Sequence, residues 1–119
     1  MEKLITFQRW KKEYKERMEI AEKYYAMLSV LNDLHLTERE IQLVAYSAIK
    51  GNISNANIRN EFCRIYNTSY PTISNMVSRL KKIGVVVKEE NKKIHVHPKL
   101  VIDFSNDVVI QLTMKSIEK

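Results

Sequence analysis

SYPTISNMVSRLKKIGVVVKEENKKIHVHPKL, residues 69–100, changes period partway along, and that change decides the fold. Up to Gly84 the apolar residues Ile73, Val77 and Leu80 recur at helical spacing, and Thr72, Asn75, Arg79 and Lys82 fall on the opposite side. Pro71 suits the first turn of a helix, where its missing N–H removes no intrahelical bond. Gly84 ends the helix. Beyond it Val85-Val86-Val87-Lys88 reads as a strand and Glu89-Glu90-Asn91-Lys92 as a turn. Lys93-Ile94-His95-Val96-His97 reads as the returning strand, stopped by Pro98. Charge is concentrated in the same stretch. Residues 69–99 carry seven Lys/Arg (Arg79, Lys81, Lys82, Lys88, Lys92, Lys93, Lys99) against two Glu (Glu89, Glu90), whereas residues 1–36 carry seven against six. Most of the net charge of +6 therefore sits in one segment, which favours an anionic partner such as nucleic acid.

Working back from Ser69, Asn67-Thr68-Ser69 is a turn, preceded by a helix from an N-cap at Ser54 to Tyr66 with Ile58, Phe62 and Ile65/Tyr66 as its apolar stripe. Gly51 stops an earlier helix whose stripe is Ile41, Val44, Ala45 and Ala48/Ile49. Thr37 and Glu40 form its capping box. From about Thr6 to Leu34 there is no Gly or Pro. Phe7, Trp10, Tyr14, Ala21, Tyr24, Leu28 and Leu31 follow a heptad-like spacing that Arg17 interrupts. Pairs such as Glu13/Arg17 and Glu19/Lys23 support one long helix, about 42 Å from end to end. Past Pro98 the runs Leu100–Phe104 and Val108–Met114 are β-prone, with a hairpin and a helix from Asp107 both open. The expected organisation is an N-terminal helix over 1–36, a central unit over 37–100 and a tail over 101–119. The expected fold class is mainly α with a small β-hairpin.

Ser69-x-Pro71-Thr72-Ile73-Ser74, then Leu80-x-x-x-Gly84-Val85-Val86, then a Lys-rich hairpin resembles the recognition helix and wing of winged helix-turn-helix DNA-binding proteins. The likeness is to regulators of the broad MarR-like kind and to the winged-helix replication proteins of plasmids and phages, and it covers about residues 37–100. The Asp-x-Arg wing signature of typical MarR proteins is absent, which removes the basis for expecting an aromatic-acid ligand. The resemblance implies a helix of about 70–83 placed in the major groove of double-stranded DNA and a wing of about 85–97 laid over the neighbouring backbone.

On that reading Tyr70, Thr72, Ser74 and Asn75 are the candidates for base contact. Asn75 suits adenine, and the Thr72 methyl suits thymine. Ser69, Arg79, Lys81, Lys82, Lys88, Lys92 and Lys93 are the candidates for backbone contact. Glu89 and Glu90 at the wing tip argue against deep insertion, leaving the lysine-bearing flanks to meet phosphates. Ile41, Val44, Ile58, Phe62, Ile65, Ile73, Val77, Leu80, Val86, Ile94 and Val96 read as core.

Other chemistries find little footing in the sequence. His95 and His97 share one strand face but have no third metal ligand in view, so they read as exposed wing residues. Cys63 is the only cysteine, excludes an internal disulfide and reads as a small buried hydrophobe. With two glycines no phosphate-cradling loop is expected, and no nucleophile–base spacing points to an enzyme or a cofactor. The sequence shows no signal peptide and no apolar run long enough to span a membrane, so the cytoplasm of a bacterium or a phage-infected host is the expected location. Abundant Lys, Asn and Ile fit an AT-rich genome. The aromatic N-terminal helix is expected to pair with a second copy, giving a homodimer, or to dock on another protein. The leading expectation is a sequence-specific transcription regulator. The alternative is a protein-interaction or assembly module of a phage replication complex or virus particle.

Overall fold

The computed structural model describes residues 14–104. Phe7, Trp10 and the run Val108–Met114 lie outside the described residues. Four helices precede a two-stranded hairpin: α1 (Tyr14–Leu31), α2 (Glu38–Lys50), α3 (Ala56–Tyr66), α4 (Tyr70–Lys82), β1 (Val86–Lys88) and β2 (Ile94–Val96), followed by a 3₁₀ turn at Pro98–Leu100. The described chain is thus mainly helical with a small antiparallel hairpin, as expected from the change of period at Gly84. None of its helices is long and apolar enough to cross a membrane.

α2 is the central element. Its start is fixed by the Thr37/Glu40 capping box: the Glu40 N–H donates to Thr37 Oγ1 at 3.1 Å, and the Thr37 N–H donates back to Glu40 Oε1 at 2.9 Å. Leu43, Val44, Ala45, Tyr46 and Ser47 are all buried in succession, which one apolar stripe would not produce. α1 covers one side of α2, and α3, α4 and the hairpin close the rest around a single core.

α1 buries Met18, Ala21, Tyr25 and Ser29. This stripe is rotated by about one residue from the expected seam, because Met18 rather than Arg17 takes the inward site. Tyr24 and Leu28 are therefore only half-buried and Leu31 is exposed. On α3 the N-cap is Asn55, not Ser54. The Asn55 side chain accepts the N–H groups of Asn57 and Ile58, while Ser54 is held by Asn52 Oδ1. Asn52 Oδ1 also accepts the Ile94 N–H at 2.9 Å, and the Ile53 N–H donates to the Ile94 carbonyl at 2.9 Å. The short link between α2 and α3 thereby covers the outer edge of β2, which would otherwise present unpaired backbone groups. Phe62 is buried between Tyr46 and Tyr66, at centroid distances of 5.3 and 4.6 Å. Ile65, expected in the core, is 50% exposed, since Ile58, Phe62 and Tyr66 form the inward line of α3.

α4 ends in a Schellman motif. The Val85 N–H donates to the Leu80 carbonyl at 3.0 Å and the Gly84 N–H to the Lys81 carbonyl at 3.1 Å, with Gly84 at φ 84°. Val85 and Leu80 are both buried, so the cap also aims β1 into the core. Val86 pairs with Val96, Val87 with His95 and Lys88 with Ile94. The turn is a three-residue loop closed by two backbone bonds of 2.8 Å, Lys92 N–H to the Glu89 carbonyl and Glu89 N–H to the Lys93 carbonyl. Lys92 takes the left-handed site of this turn, at φ 69°, where glycine carries no steric penalty. Lys92→Gly is therefore expected to raise the unfolding free energy by about 0.5–1 kcal/mol, read by urea denaturation.

The segment after β2 does not continue as the expected strand. Pro98 opens a 3₁₀ turn, and the Leu100 carbonyl that a ladder would use accepts the Tyr25 hydroxyl at 2.7 Å. Phe104 is buried against the rings of Tyr24 and Tyr25, at 5.7 and 5.9 Å. Burial, with a smaller contribution from Tyr24, pushes the Tyr25 phenol well above its ordinary value of 10.0. The folded state thus resists an ionisation that the unfolded chain undergoes near that value. The associated stability is complete below it and is lost as pH rises beyond it. Urea denaturation from about pH 8 to about pH 11 is expected to show a fall beginning near pH 10, shallower in Tyr25→Phe.

Candidate nucleic-acid interface

Ser69 caps α4, its hydroxyl facing Thr72 Oγ1 at 3.0 Å. Ile73, Met76, Val77 and Leu80 hold the helix to the core. On the opposite side Pro71, Ser74, Asn75, Ser78, Lys81 and Lys82 are all exposed. At about 100° per residue these six occupy a sector about 120° wide, so they form one outward stripe. Thr72, also exposed, flanks it. The Asn75 side chain makes no hydrogen bond to another described residue, so both its carbonyl and its amide are available.

Besides Ser69 and Thr72 at the cap, three of the expected site residues carry structural bonds. The Tyr70 hydroxyl donates to the Ala56 carbonyl at 3.1 Å, tying the start of α4 to the start of α3. Ser74 Oγ accepts from Arg59 Nη1 at 3.2 Å. Arg79 differs most from expectation. It sits at the edge of the outward sector and, with its side chain 41% exposed, leans toward α2, where Nη1 is ion-paired with Glu40 Oε1 and Nη2 donates to the carbonyls of Leu34 and His35, both at 3.2 Å. Glu40 is only 4% exposed. The carboxylate that completes the capping box of α2 is thus neutralised by a guanidinium from α4, and Arg79 joins three elements instead of facing out with its neighbours.

In the hairpin Lys88, Lys92 and Lys93 are exposed. Among the described residues no ion pair involves these three, Lys81, Lys82 or Lys99. Of the two acids in this stretch, Glu89 meets His95 Nε2 at 2.8 Å. His95 and His97 are half-buried rather than exposed, and His97 Nδ1 accepts the Lys99 N–H at 3.1 Å. The two imidazoles thus have separate partners.

Sequence reasoning missed two residues here. Ser78 lies four positions from Ser74 and three from Asn75, a spacing that places it mid-stripe once the inward line of Ile73, Val77 and Leu80 is drawn. Arg59 lies on a different helix. Its Nε donates to the Ile53 carbonyl at 2.7 Å while Nη1 reaches across to α4, and no local pattern announces that reach. The outward stripe, with its polar ends and uncompensated cations, is one helix wide, and so is the major groove of B-DNA. Compared with protein-family models, curated proteins and solved structures, the chain matches none of them.

Proposed function

We propose that residues 37–100 form a winged helix-turn-helix that binds double-stranded DNA, of the kind transcription regulators use. In this reading α4 lies in the major groove with Thr72, Ser74, Asn75 and Ser78 toward base edges. Lys81 and Lys82 meet phosphates at the end of the helix, and Lys88, Lys92 and Lys93 meet them from the hairpin. The observation that carries the proposal is the one outward stripe of α4, polar or cationic throughout apart from Pro71, followed directly by a hairpin whose exposed lysines have no anionic partner among the described residues. Tyr70 and Ser69 then act mainly by fixing the helix start, and Arg79 by fixing the helix against α2.

Five lysine–phosphate contacts give a salt slope of about −4.5, so duplex affinity is expected to fall roughly 500-fold between about 50 and about 200 mM salt. A fluorescence-anisotropy titration with random duplex reads this. Affinity that is weak and flat in salt contradicts the proposal and favours docking on a protein. We extend the proposal to a homodimer through α1, where Val30 and Leu31 stand 80% and 57% exposed. Light scattering is then expected to give about twice the chain mass of 14.1 kDa. A monomer mass removes the dimer and leaves the DNA reading in place.

A further inference from the structure

We propose that Arg59 sets what Ser74 reads, turning its hydroxyl into a hydrogen-bond donor aimed at acceptor-bearing bases, guanine above all. The inference rests on the DNA-binding reading above and names the base chemistry recognised at the same stripe.

Arg59 lies one turn into α3, its N–H bonded to the carbonyl of the cap residue Asn55 at 3.0 Å. The guanidinium spans two acceptors. Nε holds the Ile53 carbonyl at 2.7 Å, in the link that also covers β2, and Nη1 holds Ser74 Oγ at 3.2 Å. Anchored at Ile53, the group has little freedom to leave Ser74. A guanidinium carries five N–H donors and no acceptor, so Ser74 Oγ is the acceptor in this bond. A serine hydroxyl otherwise rotates to suit its surroundings. With a cationic N–H directed at its oxygen, its hydrogen is driven to the far side, away from α3. Ser74 is exposed between Pro71 and Ser78, so that hydrogen is offered outward from the stripe.

The groove edge of each base then decides the match. Guanine presents two acceptors there, N7 and O6, while cytosine presents only the N4 amino donor. A hydroxyl free to rotate would serve either base, whereas one that already accepts from Arg59 keeps its hydrogen for donation and has a single lone pair left, which biases it toward guanine over cytosine. One neutral hydrogen bond of this kind corresponds to roughly 3–10-fold discrimination at a single base position.

The test is selection from a pool of duplexes randomised over about 16 bp, followed by sequencing, for the wild-type chain, Ser74→Ala, Arg59→Met and Arg59→Lys. The wild-type chain is expected to show one position with guanine preferred over cytosine by roughly 3–10-fold, and Ser74→Ala to erase it. Arg59→Met, which keeps the stem but donates no hydrogen bond, is expected to reduce it below about twofold while preferences elsewhere persist. Circular dichroism and thermal melting verify that Arg59→Met folds, because it also loses the bond to Ile53. Arg59→Lys is the second probe. It keeps a cation but lacks the fork that spans both acceptors, and it is expected to lose the preference as well. If Ser74→Ala erases the preference while both Arg59 variants retain it, or if Ser74→Ala changes nothing, this inference is overturned and DNA binding stands. A wild-type chain that binds no duplex overturns the DNA reading and this inference together.

Discussion

Replacing Lys81, Lys82, Lys88, Lys92 and Lys93 together by alanine is expected to lower affinity for random duplex DNA by about 10²–10⁴-fold near 0.1 M salt and to flatten the salt slope by about 4–5. On the proposed reading each lysine would neutralise a phosphate and release its counterion, and none of the five is held by an anion among the described residues. Stability should fall only modestly. All five are exposed, and such substitutions usually stay within about 0.5 kcal/mol each, with Lys81 and Lys82, in the last turn of α4, costing up to about 1 kcal/mol each. Lys92→Ala keeps the Cβ at a left-handed site and so brings none of the gain expected of glycine there. Anisotropy titrations at several salt concentrations, beside urea denaturation of the same variants, separate the two effects. Unchanged affinity in the five-fold variant would show that the hairpin and the end of α4 do not face the duplex.

Arg79→Ala should behave in the opposite way, lowering the unfolding free energy by about 2–4 kcal/mol while leaving the salt slope of DNA binding intact. The guanidinium is ion-paired with Glu40 and bonded to the carbonyls of Leu34 and His35. Its loss leaves a nearly buried carboxylate bonded to the Thr37 N–H alone among the described residues, and frees the loop after α1 from α4. At about 4–8 °C per kcal/mol for a domain of this size, the melting temperature should fall by about 8–32 °C. Removing one partner of such a pair is worse than removing both. The double variant Arg79→Met/Glu40→Met is therefore expected to be more stable than Arg79→Met alone, a reversal that thermal melting detects. A normal melting temperature for Arg79→Ala together with a reduced salt slope would return Arg79 to the phosphate contacts.

These two predictions mark where the sequence was readable and where it was not. Thr37 and Glu40, Pro71, and Gly84 each declare a helix end within a span of three or four residues and the structure uses all of them, whereas the cap read at Ser54 falls on Asn55. The hairpin was readable because a β-branched run, Val85–Val87, is followed across a polar turn by Ile94 and Val96 alternating with Lys93, His95 and His97. Arg79 was not readable, because its partners Leu34, His35 and Glu40 lie 45, 44 and 39 positions away and helical spacing places it at the margin of the outward sector. Arg59 was hidden for the same reason, with Ser74 on the next helix. Leu100–Phe104 has the composition of a strand, yet a hydroxyl from α1 takes one of its carbonyls and the ring of Phe104 closes on the same helix. Lys92 gave no sign of its left-handed site, since glycine or asparagine is the residue that would announce it. Local grammar thus specified the candidate recognition surface, whereas the polar bonds that stiffen it are non-local.

DNA binding of the proposed kind requires the outward stripe of α4 and the hairpin to meet a duplex together. Amide chemical-shift mapping of the full chain during titration with a short random duplex at low salt tests this most directly. The largest shifts are expected at Thr72, Ser74, Asn75, Ser78, Lys81 and Lys82 and along residues 88–93, with α1 and the buried centre of α2 little changed. Shifts concentrated on α1 with α4 unperturbed, or no shifts anywhere, would contradict it.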